Sequence, residues 1–588
     1  MFETLRNLTA LGAIEGRRGG NSPTRFLLPV LLGALMGRSA PGAAAELVNS
    51  GDTVVRWDNT IKYSAAYRLD PAHRALIQSP NADDGDRNFH AGVISNRLDL
   101  LSEFDANFGR WGASVSAAAW YDTTYNTAPD ADTAPQRALY AVRDHFSSDV
   151  RDLHGRYVEL LNAFVTGSAD IGDMPISLRA GRHTVLWGES LFFAANGIAA
   201  GQGPIDTIKA MSVPLSRAKE VFMPVNQVSF SAQPRPDMVI NAYYQFEWRK
   251  SRLPGVGSYF SAADFVDAGG YRLYVGRNQY LGRADSPDAK DGGQFGVALR
   301  FIRNDFDVGL YALRYHTKEP QLYMRPYPRT APAAERERSA DVETTIVRER
   351  PAAYGSAPGV YAGPSNPLQS DPIYDFGTGT GEMGDYFFVY PENIEIYGAS
   401  FSGYLGDSNV AAEISTRRRM PLASKALLII GDARWDADKN ALFARGDTLH
   451  AQASIVSSFS PNRAWDSASF SAEIAANSRL KVTHNPAMFD DSRTRSYVGA
   501  RALFEPVYFA VLPGMDLSVP MSIGYGLAGR SSVDSGQVSK AGSFELGLSA
   551  TYRAVWRGSL TLTRFLGAPD RQPFADRHFV SLSLQTTF

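Results

Sequence analysis

The chain has no cysteine among its 588 residues. That excludes disulfides, thiolate metal centres and a cysteine nucleophile. It also lacks any run of about 18 or more apolar residues that could cross a bilayer as a helix. Histidine is scarce, and His183, His316, His450 and His578 stand alone, with no H-E-x-x-H spacing. No metal site is expected from them. No G-x-S-x-G elbow occurs. Gly379, Gly381 and Gly384 match G-x-G-x-x-G, but the stretch opens no helix, so no dinucleotide cofactor is expected. The formal net charge is only −2, which argues against a nucleic-acid partner.

What is present begins with an export signal over residues 1–45. Arg17, Arg18 and Arg25 form a basic region, Phe26 to Gly37 an apolar core, and Ala43-Ala44-Ala45 a small-residue cleavage site. The last ten residues, Phe579 to Phe588, alternate strictly. Val580, Leu582, Leu584, Thr586 and Phe588 share one face, and Ser581, Ser583, Gln585 and Thr587 the other. Period two marks a strand. An apolar-out, polar-in strand ending on an aromatic fits the closing strand of an outer-membrane barrel; an ordinary half-buried strand of a soluble sandwich is the alternative.

The spacing of turns separates the two. Similar alternating stretches recur from Val54–Arg68 to Ser559–Phe565. Short joins fall at 109–112, 170–174, 233–236, 303–305, 406–408, 461–463, 513–514 and 553–557, and all but the last use Gly, Pro, Asn or Asp. Long polar joins fall between them, roughly at 69–91, 127–155, 188–224, 250–292, 319–390, 421–445, 478–495, 529–542 and 567–577. Strict short–long alternation is what a transmembrane barrel with short periplasmic turns and long outer loops requires. Residues 46–588 are therefore expected to form one all-β, antiparallel up-and-down barrel of about 18 strands, within a range of 14 to 18, in a bacterial outer membrane.

Two long joins differ in kind. Residues 326–372 are rich in Pro, Ala, Arg and Glu and lack periodicity, which predicts a mobile outer loop within 319–390. Residues 188–224 hold many apolar groups, including Leu191, Phe192, Phe193, Ile198, Ile205 and Ile208. Such a segment is expected to fold into the lumen as a hatch, with a short helix around Ser216–Phe222, while 250–292 is expected as a second long extracellular loop.

The same stretch carries a family resemblance. Gly181 to Ser190 (GRHTVLWGES), Gly203 to Asp206, Lys219-Glu220, Met223-Pro224-Val225, Tyr244 to Trp248 and Gly257 to Phe265 resemble the domain-of-unknown-function 1302 family of proteobacterial outer-membrane proteins. The resemblance implies a conduit for lipids, steroids or terpenoid-like compounds. It also implies a periplasmic lipid carrier and a proton-driven inner-membrane transporter as partners. Many members carry cysteines near the positions of Val256 and Gly269 or Gly270; this chain has none there, so that outer-loop disulfide is absent.

Candidate functional residues are inward-facing polar groups. Period two places Glu159, Gln245, Glu247, Arg249, Glu413 and Arg417 on wet faces. Arg182, Trp187, Glu189, Asp206, Lys219 and Glu220 belong to the hatch and its flanks, where Trp187, Glu189, Asp206 and Glu220 are expected to fix its backbone. Their functional reading is a lining that selects solutes; their structural reading is pairing of opposite charges. Arg417-Arg418-Arg419 also offers a basic rim to lipopolysaccharide. Trp57, Tyr63, Tyr67, Trp120, Tyr121, Trp248 and Tyr397 are expected as interfacial girdles against outer-membrane lipid. Phe588 is expected at the periplasmic rim as a signal to the barrel-assembly machinery. The expected function is passage of a hydrophobic or amphipathic small molecule without covalent chemistry. A general porin, a barrel hydrolase joining Ser and His from separate strands, and an adhesin are the rivals.

Overall fold

The computed structural model describes residues 45–130, 145–212, 221–276, 279–326, 381–429 and 434–588. The expected export signal and the Pro-rich stretch 327–380 lie outside them. So do most of the helix expected around Ser216–Phe222 and, with it, Lys219 and Glu220.

The described chain closes into an antiparallel barrel of 18 strands. Thr53–Arg68 pairs on one edge with Gly92–Phe108 and on the other with the final strand, Phe579–Thr587. Register runs from Thr60 opposite Thr587 to Arg68 opposite Phe579. The seam continues to the last residue, where Asn59 and Phe588 exchange main-chain hydrogen bonds of 2.8 and 2.9 Å. A closed ladder leaves no unpaired edge facing lipid, the condition for a sheet to cross a membrane. Ala45–Ser50 pairs with Thr53–Trp57 and extends that edge below the seam.

Turn chemistry explains the short connections. Gly172 and Asn304 take positive φ, 62° and 53°, which Gly and Asn tolerate best. Pro520 breaks one wall strand into Met515–Ser518 and Met521–Ala528, because proline brings no N–H to the ladder. The wall stays continuous there: the Val519 N–H donates to Pro506 O at 3.0 Å and the Gly547 N–H to Pro520 O at 2.8 Å.

Side chains alternate as the sequence pattern requires. Leu582 is exposed on the outer face, whereas Ser581 and Ser583 are buried inside. Trp57, Tyr67, Tyr121 and Tyr397 are exposed outward. Trp120 and Trp248 are not girdle residues: both are buried. Adjacent Trp120 and Tyr121 must face opposite sides of one strand, and Trp120 faces in. The strand expected to reach Trp248 ends at Gln245. Asp291 then accepts the Trp248 main-chain N–H at 2.9 Å, and the indole N–H donates to Thr317 O at 3.0 Å, turning the ring inward.

The long connections pack instead of trailing into solvent. A second sheet of five short strands joins Arg272–Gly276, Gln279–Arg283, Gly381–Val389, Gln321–Pro326 and Leu427–Leu428. Gly381 and Gly384 of the glycine-rich match lie on one of these strands. Residues 250–292, expected as an open loop, contribute the buried Tyr259, Phe260, Phe265 and Val266. Tyr259 and Phe260 close an aromatic cluster with Phe89, Tyr125, Phe146 and Phe579 at the seam end opposite Phe588. Arg577 locks that cluster. It donates to both Asp86 oxygens at 3.0 Å and to the carbonyls of Tyr259 and Ser261 at 2.5 and 2.6 Å. Burial opposes charge on Asp86, yet Arg577 and Arg68 hold its carboxyl below the usual range. Burial and the Asp86 charge push neighbouring Asp576 up to about 6.

Candidate functional site

The hatch begins where Met174–His183 ends, and it crosses to the opposite wall. Two wall carboxylates hold it through its main chain. Glu413 accepts the N–H groups of Glu189 and Ile198 at 2.9 and 2.5 Å. Glu473 accepts those of Leu191, Phe192 and Phe193 at 3.2, 2.5 and 2.9 Å. Arg417 donates to the carbonyls of Ala195, Asn196 and Gly197 at 3.1, 2.8 and 3.0 Å. Charge-assisted bonds of this kind are about twice as strong as neutral ones. Gly188 sits at φ 95°, and a Cβ there would collide with the Glu413 carboxylate, so this approach needs glycine.

Asn196 is the other anchor. Its amide donates to Ala451 O and Ala476 O at 3.3 and 3.2 Å. Its oxygen meets His450 Nδ1 at 3.0 Å and accepts from Asn477 Nδ2 at 3.3 Å. Gln245 donates to Gln202 O at 2.6 Å, while Gln202 Oε1 accepts the Trp187 N–H at 2.5 Å.

The pinned hatch covers an apolar patch on the inner wall. Ile198 packs among Tyr243, Tyr311, Leu313, Tyr315, Ile394 and Ile396, with Trp187 against them. The Trp187 ring lies 5.0 Å from Tyr243 and 6.1 Å from Tyr311. Inward-facing aromatic and aliphatic side chains on consecutive wall strands are unlike the polar interior of a porin.

A second assembly joins the hatch to the 250–292 segment. Arg252 bonds Glu159 on the wall and Asp206 Oδ2 in the hatch, the latter at 2.5 Å. Asp206 Oδ1 accepts the Lys209 N–H at 3.0 Å and so starts the short helix Thr207–Ser212. Arg252 also lies over Trp120 and Tyr157.

Of the residues singled out in the sequence, Gln245, Glu413 and Arg417 act on the hatch through side chains. Through main-chain N–H groups, Glu189 donates to the wall carboxylate of Glu413 and Trp187 to Gln202 of the hatch, and Glu159 and Asp206 converge on Arg252. Arg182 and Arg249 stand 3.8 and 3.9 Å from Glu247, and Arg249 also donates to Pro224 O, at the end of the hatch, at 3.1 Å. Arg417 lies in the lumen, not the rim; Arg418 rests over Tyr397 and Arg419 pairs with Asp438. Glu473, Asn196, His450, Asn477 and Arg252 were missed. The signal for Glu473 was the same as for Glu413, a carboxylate between small or apolar neighbours on a period-two face. His183 does not stand alone: Nε2 lies 2.9 Å from Ser229 Oγ on the next strand, and Nδ1 lies 3.0 Å from Gly181 O.

The family model described as "Protein of unknown function (DUF1302)" matches residues 25–588. No curated protein matches the chain significantly. Among solved structures, Acinetobacter baumannii OccAB3 aligns at TM-score 0.40 and 10% identity, over 91% of this chain and 99% of that one. A BenF-like porin from Pseudomonas fluorescens Pf-5 aligns at 0.39 and 8%, over 91% and 98%. The outer membrane channel DcaP of Acinetobacter baumannii aligns at 0.37 and 10%, over 92% and 100%.

Proposed function

Because the chain belongs to the DUF1302 family, we propose that it is an outer-membrane channel for hydrophobic or amphipathic small molecules, gated by the segment from Thr184 to Pro224. The observation that carries this reading is the apolar wall patch beneath the hatch. A solute that only diffuses through water gains nothing from such a surface. An apolar solute gains about 25 cal/mol for each Å² it removes from water. The outward apolar face supports placement in the outer membrane. Uptake requires the hatch to release its hydrogen bonds and expose the patch. A periplasmic lipid carrier on the short-turn side, an inner-membrane transporter beyond it and lipopolysaccharide at the long-loop side are the partners this role implies. Phe588, paired into the seam, is the element for recognition by the assembly machinery.

In planar bilayers the intact protein is expected to give small conductance, while vesicles containing it take up a fluorescent fatty amphiphile. Large steady conductance without amphiphile uptake would instead establish a general porin. The His183–Ser229 contact is the observation that favours a hydrolase. Ser229→Ala should leave uptake unchanged; loss of a lipid-hydrolysing activity in that variant would replace the channel reading.

A further inference from the structure

Lys209 is a buried ammonium inside the barrel that has no hydrogen-bond acceptor among the described residues. The residue is 4% exposed. Its Nζ lies 4.9 Å from the Trp120 ring centroid, and it forms no hydrogen bond or ion pair with any described residue. Leaving a buried ammonium unpaired is costly. Its charged neighbours are satisfied differently. Arg252 takes Glu159 and Asp206. Arg97 holds both oxygens of Asp99 at 2.9 and 3.0 Å. Asp122 accepts from Ser95 Oγ at 2.6 Å and from the Asn96 and Thr124 N–H groups at 3.0 and 2.9 Å. Arg97 lies 4.7 Å from the same Trp120 ring. Three cations, Arg97, Lys209 and Arg252, therefore lie over one indole, and among the described residues Lys209 is the one of them without an ion-paired carboxylate.

Beside them is a small cavity. Arg97 and Asp122 line its polar side, and Ile94, Ile208, Tyr259 and Phe260 its apolar side. Its volume is ≈ 20 Å³, room for about one water. Ile208 and Ser212 of the Lys209 helix form part of its wall.

We propose that Lys209, with Arg97 and Trp120, binds the acid group of an amphipathic carboxylate whose apolar body enters the adjoining cavity as the hatch helix moves. This rests on the channel reading and narrows it to anionic amphiphiles. The carboxylate supplies the acceptor that Lys209 lacks among the described residues, and the aromatic lining receives the hydrocarbon. Glu159 keeps one oxygen, Oε1, without a hydrogen-bond partner. A purely structural Lys209–Glu159 attraction is therefore the competing account.

The test is displacement of a bound fluorescent fatty-acid analogue from the full chain in nanodiscs, at about pH 8, where a carboxylic acid is ionised. Dodecanoate is expected to displace it at about tenfold lower concentration than dodecan-1-ol, the size of one charged hydrogen bond. Lys209→Met should abolish that preference and Lys209→Arg should keep it, with thermal unfolding followed for both. Equal displacement by acid and alcohol overturns the carboxylate site and leaves the channel reading standing. A preference that survives Lys209→Met, with lowered thermal stability, assigns Lys209 the structural role and overturns the proposal. If neither compound displaces the probe, the channel reading falls as well.

Discussion

Replacing Glu413 and Glu473 together by alanine is expected to raise single-channel conductance by on the order of tenfold. The two carboxylates accept the N–H groups of Glu189, Leu191, Phe192, Phe193 and Ile198. A hydrogen bond to a charged group contributes roughly 1.5–3 kcal/mol. Losing even two of them shifts the balance between seated and released hatch by about 3 kcal/mol or more. The change also leaves N–H groups inside without acceptors, which disfavours the seated state further. An 18-stranded wall encloses enough space for water once its filling moves. Planar-bilayer recording checks this. Each single variant should show intermediate open probability, because the two pins hold neighbouring stretches of one segment. Unchanged conductance in the double variant would mean that the carboxylates do not hold the hatch.

The second large effect is at the mouth. Arg577→Ala should destabilise the folded barrel by roughly 3–5 kcal/mol, the cost of removing one partner from a buried ion pair. Asp86 would keep Arg68 as partner, but the Tyr259 and Ser261 carbonyls would lose their donor. Three long connections, 69–91, 246–293 and 567–578, meet at this guanidinium. Gly85 lets them approach, since a Cβ there would press on Ser258 O and Ser261 O. Arg577→Lys should rescue little, because an ammonium cannot bond Asp86 bidentately and two carbonyls together. The temperature at which the folded band converts to the unfolded band in detergent electrophoresis reads this directly. An Arg577→Ala protein converting at the wild-type temperature would remove the clamp from the account.

The barrel was legible because its grammar is local. Turn residues such as Asn304 and Gly406 announce hairpins, and period two assigns each wall residue to a face. By that rule Gln245, Glu413 and Arg417 fell inside, where the structure places them. Trp120 shows the rule neglected: its neighbour Tyr121 already occupied the lipid face. The hatch could be read as apolar and misplaced in solvent, but its attachment could not. Glu473 binds main-chain N–H groups, which every residue carries and no side-chain pattern reveals. The five-stranded outer sheet was illegible for another reason. Gln279–Arg283 pairs in parallel with Gly381–Val389, and partners so distant in sequence leave no turn to mark them. Arg252 was hidden likewise, since its carboxylates come from a wall strand and the hatch.

The central claim is that hatch movement admits apolar solutes. A reversible cross-link tests it in one protein. The chain has no cysteine, so Asn196→Cys with Asn477→Cys, positions whose side chains meet at 3.3 Å, places the only thiols between hatch and wall. Uptake of the fluorescent amphiphile into vesicles is measured before and after reduction. The account predicts that the oxidised protein takes up little and that reduction restores uptake in the same sample; equal uptake in both states would contradict it.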